Sequence, residues 1–196
     1  MKKLSKVSIL GIVAVLSTTI LPKAFAASNS NVIVPGQSIG QTYLGANGTS
    51  YLNKLPKANA VDVGMSQTRQ VWVSKQRNRT NTLFIHTVSN GALGVQPING
   101  VTIDNIRITS SWFHTSSGDI STGSTKAKVL KNFPGARPVD GNSTIYDDAK
   151  RGIAFEFPKQ ANDKSPCIAI MIHPKGNPHL ATTEEVSRIL SNGEHP

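Results

Sequence analysis

Five histidines are the residues best suited to acid–base chemistry or to metal binding: His86, His114, His173, His179 and His195. They form no H-x-H or H-E-x-x-H pattern, which is the spacing that places two imidazoles on one metal ion. His173 and His179 are close in sequence, but they flank a Pro/Gly/Asn loop and would need a further ligand such as Glu184 or Glu185. The pattern therefore favours ordinary strand-end and loop histidines, and we predict neither a metal nor a cofactor.

Carboxylates and nucleophiles give no clearer catalytic pattern. Asp147 and Asp148 could supply one half of an acid–base pair, with Glu156 as the other half. Glu156, however, alternates with two phenylalanines in a strand-like run, which predicts that it faces solvent. Cys167 opens an apolar run and is predicted to be a small buried hydrophobe. With no G-x-S-x-G motif and no lysine-containing glycine loop, the sequence predicts no catalytic residues, and an unrecognised hydrolase is only the third alternative for function.

Aromatic side chains offer a different chemistry, that of binding. Trp72, Trp112 and Tyr146 each fall on a predicted strand. The open face of a sheet can present such side chains to a partner, and aromatic residues are enriched where binding energy concentrates. We predict these three residues as the partner-binding site.

The elements that would position these residues fall into two similar halves, each of which opens with a short helix. The sequence of residues 123–136 predicts a helix that is capped by Ser124 or Thr125 and ended by a proline. A similar segment, with Thr49 or Ser50 as its cap, lies in the first half of the chain. The two segments match when residue 52 is aligned with residue 130, since the glycine, leucine, proline and alanine positions then coincide.

Three strand-like runs follow each helix. They are 70–75, 82–89 and 101–112 in the first half, and 143–147, 152–157 and 167–173 in the second. In the run 101–112 the apolar register shifts between residues 103 and 106, which predicts a β-bulge. A capping box from Thr182 to Glu185 predicts a terminal helix.

The predicted fold is therefore α+β. It consists of two tandem copies of a short helix followed by a three- or four-stranded antiparallel meander, with an extra C-terminal helix. We assign residues 27–115 to the first copy and residues 116–196 to the second.

Two sequence features resemble a known family. The paired L-x-x-[LF]-P-x-A segments at residues 52–58 and 130–136, together with G-I-A-F-E-F followed by I-A-I-M-I, resemble the tandem architecture of the secreted β-lactamase inhibitor proteins. The resemblance covers about residues 36–175 and implies the fold more than the function. That family carries disulfides, whereas this chain has one cysteine and cannot form one internally, and no inhibitory contact residue maps onto it.

Residues 1–26 have the pattern of a signal peptide. Lys2, Lys3 and Lys6 precede a mostly apolar run at 7–20, and A-F-A at 24–26 fits a cleavage site. The mature protein is thus predicted to be secreted, without stable membrane insertion. Cleavage removes four lysines and no acidic residue, which lowers the net charge of +10 by four, to +6.

That charge suits anionic surfaces more than nucleic acid, because the basic residues form no dense run with interleaved aromatics. The closest approach, K-Q-R-N-R at 75–79, is predicted to be a solvated hairpin loop. The leading hypothesis is a secreted, non-enzymatic binding module that engages another extracellular protein through its sheet faces. The first alternative is a binder of cell-envelope or other anionic polymers.

Overall fold

Strands are more abundant than helices in the described chain. A computed structural model describes residues 31–64, 66–76, 79–89, 101–176 and 180–193, so the predicted signal peptide, residues 1–26, lies outside the described residues. The described residues form three helices and twelve strands in two sheets, which confirms the α+β class. The strands are β1 Val32–Val34, β2 Ser38–Ile39, β3 Thr42–Tyr43, β4 Ala60–Val63, β5 Gln67–Gln76, β6 Arg79–Ser89, β7 Val101–Ile108, β8 His114–Thr115, β9 Arg137–Val139, β10 Asn142–Asp148, β11 Ile153–Glu156 and β12 Ala169–Ile172. The helices are α1 Gly48–Leu52, α2 Lys126–Asn132 and α3 Thr183–Asn192, and none of these three is long and apolar enough to cross a bilayer.

The larger sheet has eight strands in the order β4-β5-β6-β7-β12-β11-β10-β9, and all neighbours are antiparallel. β4 to β7 form one meander and β9 to β12 form another. Their last strands, β7 and β12, pair at the centre, where Ile108 lies opposite Ile170. All six predicted runs contain strands of this sheet, whereas the edge strands β4 and β9 were not predicted. The two halves of the chain therefore share one continuous sheet.

One row of side chains crosses six strands on the same face of this sheet. Because residues opposite one another in a ladder point the same way, the pairing register defines the row as Trp72, Leu83, Ile108, Ile170, Phe155 and Tyr146. The main core packs on this face. It includes Ile33 and Ile39 from the smaller sheet, Val129 of α2 and Phe133 at the end of that helix, all buried.

The smaller sheet, in the order β3-β2-β1-β8, covers part of that core. β1 pairs in parallel with β8, so the start of the described chain is tied to the segment that follows β7. The turn after β1 approaches the turn before β11, where the Gly36 amide donates to the Gly152 carbonyl at 3.1 Å. Gly152 has a φ of +72°, and a Cβ there would lie 2.4 Å from the His173 carbonyl oxygen, so the position requires glycine.

The opposite face of the large sheet is covered by α3. Val186 and Ile189 pack with Val71 and Phe84 in a second apolar cluster. Glu156 lies on this face and is 4% exposed. Its predicted orientation away from the neighbouring phenylalanines is right, but the prediction that it faces solvent is wrong, because α3 and the segment before it cover this face.

Side chains cap all three helices. Thr125 caps α2 and Thr182 caps α3, where its hydroxyl accepts from the Glu185 amide at 3.0 Å, and both agree with the sequence predictions. For α1 the predicted caps, Thr49 and Ser50, are wrong. The cap is Asn47, whose side chain accepts from the Ser50 amide, so the helix begins earlier than expected.

Both edges of the large sheet are short. β9 has three residues, and its middle residue, Pro138, has no amide hydrogen to donate. β4 has four residues, and the end of α3 lies against it: a Cβ at Gly193 would be 2.9 Å from the Val61 carbonyl oxygen.

Candidate functional site

The structure separates the three aromatic residues predicted to bind a partner. Trp72 lies on β5 and Tyr146 on β10, at opposite ends of the row that crosses the sheet. Five strand spacings of about 4.8 Å put them about 24 Å apart. Trp112 was predicted to lie on a strand. It lies instead in the turn between β7 and β8, because β7 ends at Ile108. Trp72 and Tyr146 therefore cannot belong to one small site.

Tyr146 is engaged within the protein. The Lys126 ammonium donates to its hydroxyl at 2.5 Å and lies 4.3 Å from the centre of its ring. Phe157 packs against the same ring edge-to-face, with 5.6 Å between the ring centres. Helix α2 thus covers this end of the row, and Tyr146 is a packing residue.

Trp72, by contrast, forms a wall of an apolar cleft at the other end of the row. Its indole N–H donates to the Pro56 carbonyl at 2.7 Å, which fixes the ring against the chain that follows α1. The cleft has a volume of about 420 Å³ and is open on one side. Its apolar lining includes Leu55, Pro56, Trp72, Leu83, Ile108 and Phe113. A preformed, mainly apolar hollow of this size is typical of a ligand- or side-chain-binding site.

Trp112 lies beside this cleft and is exposed. It lines an adjoining depression that shares Ser74, Asn81 and Ser110 with the cleft. Among the described residues, Trp112 and Val63 are the exposed large hydrophobic side chains, at 66% and 64%. The structure therefore brings two of the three predicted aromatics, Trp72 and Trp112, to one region.

Three cations border this region. Lys57 lines the cleft, Lys75 lines the depression beside Trp112, and Arg79 lines a second depression that also includes Asn81. The Arg79 guanidinium donates to the Ser111 hydroxyl at 3.2 Å, and all three basic residues are exposed. None of the described residues lining the cleft or the two depressions is an aspartate or a glutamate. The region is thus apolar inside and cationic at its border.

Two histidines hold strands together. At the predicted bulge His86 pairs with Asn105 and Thr87 with Ile103, so Asp104 is the extra residue, which confirms the bulge. His86 contacts the Asp104 carboxylate through Nδ1 at 2.6 Å and Gln67 Oε1 through Nε2 at 3.0 Å. Both ring nitrogens are occupied by protein groups, which favours a structural role.

The second histidine, His173, is fully buried. Its Nε2 lies 2.9 Å from the Asp147 carboxylate and its Nδ1 lies 2.8 Å from the Pro174 carbonyl oxygen. His179, its proposed companion at a metal, lies outside the described residues. Within the described part of the chain, no group of three or more His, Cys, Asp and Glu residues is placed to hold a metal ion.

A buried polar cluster that the sequence analysis missed lies under the start of α3. The Arg107 guanidinium donates to the Glu156 carboxylate at 2.8 Å and to the Thr183 hydroxyl at 2.6 Å. The other carboxylate oxygen of Glu156 accepts from the Thr183 amide at 2.9 Å. Arg107 lies between two isoleucines on β7 and therefore points to the opposite face of the sheet. This position of an arginine was the signal in the sequence that could have indicated the cluster. The cluster anchors α3 on the sheet.

Cys167 is buried, as predicted. Its thiol donates to the Ala169 carbonyl at 3.1 Å, and burial raises the pKa of the thiol to about 12. Because the thiolate is the reactive form, this cysteine is not an activated nucleophile.

Comparisons with known proteins show no family for this chain. No family model and no curated protein matches the chain. One solved structure, described as the crystal structure of the uncharacterized protein yfeY from Escherichia coli, is similar at 14% identity, over 71% of this chain and 98% of that one, with a TM-score of 0.35. At that level the likeness carries no argument about this protein.

Proposed function

We propose that the protein is a secreted, non-catalytic binding module that engages another extracellular protein at the apolar cleft and at Trp112 beside it. The observation that carries this proposal is the exposure of Trp112 next to a preformed apolar cleft. Tryptophan and arginine dominate the energetics of protein interfaces, and Arg79 and Trp72 lie in the same region. The export pattern of residues 1–26 supports an extracellular partner.

The test is retention of partners from the producer's culture fluid and cell walls on the immobilised chain 27–196. Trp112→Ser should abolish or strongly reduce the capture of a partner that the wild-type chain retains. Val63→Ser is the matched control, because Val63 is equally exposed but lies on the edge strand β4. The proposal is wrong if Trp112→Ser retains as much partner as wild type, or if Val63→Ser loses as much.

We also infer that the chain arose from two copies of one unit, residues 27–115 and 116–196. Supporting this, the Gly45 amide donates to the Ile103 carbonyl, and its aligned counterpart in the second copy, the Gly123 amide, donates to the Cys167 carbonyl, both at 2.8 Å. The N-cap residues of α1 and α2 also coincide in the same alignment. The row across the sheet is symmetrical about its central isoleucine pair, with an aromatic residue at each end. These features suit the tandem architecture that the resemblance to the β-lactamase inhibitor proteins implies.

The two proposed copies differ at the ends of the row. Lys126 covers Tyr146 in the second copy, whereas Trp72 in the first copy is held by the Pro56 carbonyl and borders the open cleft. The open cleft at the Trp72 end supports its use for binding.

A second candidate function is attachment to an anionic polymer of the cell envelope. One end of the large sheet is bordered by exposed basic residues: Lys131, Arg137, Lys150, Arg151 and Lys175. The Arg151 guanidinium reaches the Asn132 carbonyl at the end of α2, and the Gly176 amide reaches the Ala149 carbonyl, which brings these segments together. Asp148, the acid nearest to Arg151, is buried.

This basic end predicts retention on cell walls that falls steeply with salt, because exposed charges are screened beyond about 8 Å at physiological ionic strength. The double variant Lys150→Gln, Lys175→Gln should lose wall retention and keep Trp112-dependent capture. Wall retention that persists at high salt would exclude this second function.

A further inference from the structure

The border of the apolar cleft carries charge of one sign. Lys57 lines the cleft itself, and Lys75 and Arg79 line the two depressions that share residues with it. The nearest acid on the neighbouring strand β4, Asp62, is instead paired with Arg69 at 3.0 Å and with Arg188 of α3 at 3.9 Å. Because α3 packs on the opposite face of the sheet, Asp62 does not neutralise the cations of the cleft.

The interior of the cleft is suited to one large apolar side chain. Its volume of about 420 Å³ is bounded by the ring of Trp72, by Leu83 and Ile108 from the same row, and by Phe113. Two of its polar residues are already engaged within the protein: the Asn59 side chain accepts from the Val73 amide at 2.7 Å, and the Thr82 amide donates to the Thr109 hydroxyl at 2.7 Å. The interior thus provides apolar contact and little hydrogen bonding, and the open side lets the occupant belong to a larger molecule.

Resting on the proposed function, we propose that the partner is a protein segment in which an apolar side chain is flanked by carboxylates. The apolar side chain occupies the cleft against Trp72, and the carboxylates lie at Lys57 and Arg79. Charge complementarity favours an acidic partner, because carboxylates attract these cations, whereas a neutral segment gains nothing from them and like charges oppose the association of a basic segment.

The two tryptophans allow a direct test in the intact chain. The sequence contains two, so a ¹H–¹⁵N spectrum shows two indole N–H signals, and Trp112→Phe assigns them. Three blocked peptides are titrated: EEFEE, QQFQQ, which removes the charge, and EEAEE, which removes the apolar side chain. EEFEE should shift the Trp72 indole signal and bind at least about fivefold more tightly than QQFQQ, and EEAEE should leave that signal unmoved.

Charge variants complete the test. Lys57→Gln and Arg79→Gln should each weaken EEFEE by about two- to fivefold and leave QQFQQ unchanged, since exposed ion pairs contribute modestly. Lys131→Gln, an exposed lysine of α2 on the other half of the sheet, should change neither.

Equal binding of EEFEE and QQFQQ, or no binding of either at millimolar concentration, overturns the acidic partner. Trp112-dependent capture from culture fluid would in that case still support the binding module. If instead the preference for EEFEE holds while Trp112→Ser captures every partner, the acidic specificity stands and the proposed contact at Trp112 fails.

Discussion

Replacing Glu156 with glutamine tests how α3 is held on the sheet. The Glu156 side chain is 5% exposed and that of Arg107 2% exposed, so both charges are removed from water. At 2.8 Å and an effective dielectric of about 20, their attraction is about 6 kcal/mol, which roughly offsets a desolvation penalty of several kcal/mol per ion. The intact pair therefore adds little net stability, but its loss leaves a buried guanidinium without a counter-charge.

Removing one partner of a buried pair costs about 3–5 kcal/mol. Glutamine can still accept one hydrogen bond from Arg107 or from the Thr183 amide, so Glu156→Gln should lower the free energy of unfolding by about 3 kcal/mol, the low end of that range. With a urea dependence of about 2 kcal/mol/M, the midpoint should fall by about 1.5 M, measured by circular dichroism.

Two further variants make the reasoning refutable. Glu184→Gln removes the carboxylate of an ion pair with Lys159 at 3.0 Å that is largely exposed on both sides, and it should cost under about 0.5 kcal/mol. Replacing both members of the buried pair, as in Arg107→Met with Glu156→Leu, should recover most of the loss. Equal costs for Glu156→Gln and Glu184→Gln would refute the account of the buried pair.

Three other predictions concern the thiol, two glycines and a helix cap. Because the pKa of Cys167 is raised to about 12, the thiol should not react with a disulfide reagent in the native protein at about pH 8. After unfolding in urea, one thiol per chain should react. A rapid reaction in the native protein would contradict the burial of this thiol. Gly141→Ala should lower the free energy of unfolding by about 1 kcal/mol, because φ is +73° although the space around the position is open. Gly152→Ala should lower it by at least about twice as much, because the new Cβ would also meet the His173 carbonyl oxygen. Urea unfolding measures both. Thr182→Ala should cost about 1 kcal/mol through the lost cap, and thermal melts in which it matches wild type would show that the cap is redundant.

Local patterns were sufficient for the main strands and for two of the three helix starts. Alternating residues indicated the paired strands β11 and β12, and the shifted alternation before Ile106 indicated the bulge at Asp104, because strand geometry fixes which residues share a face. The capping residues Thr125 and Thr182 were predicted because a hydroxyl that accepts from the first-turn amides is a local requirement.

Features that depend on distant partners were not predicted. β9 contains Pro138 and is a strand only because β10 provides a neighbour, and β1 to β3 and β8 are too short to show a period. Alternation placed Glu156 on the correct face but could not show that α3 covers it. The cleft exists because the chain around Pro56 packs against Trp72, a contact 16 residues apart that no local pattern encodes.

The short edges of the large sheet limit how this protein can associate. A free strand edge is a template on which identical chains can stack, and such stacking leads to fibres. Here the edge at β9 is interrupted by Pro138, and the edge at β4 is only four residues long with the end of α3 against it. The two edge strands thus offer a second copy of the chain only three and four residues on which to extend the ladder.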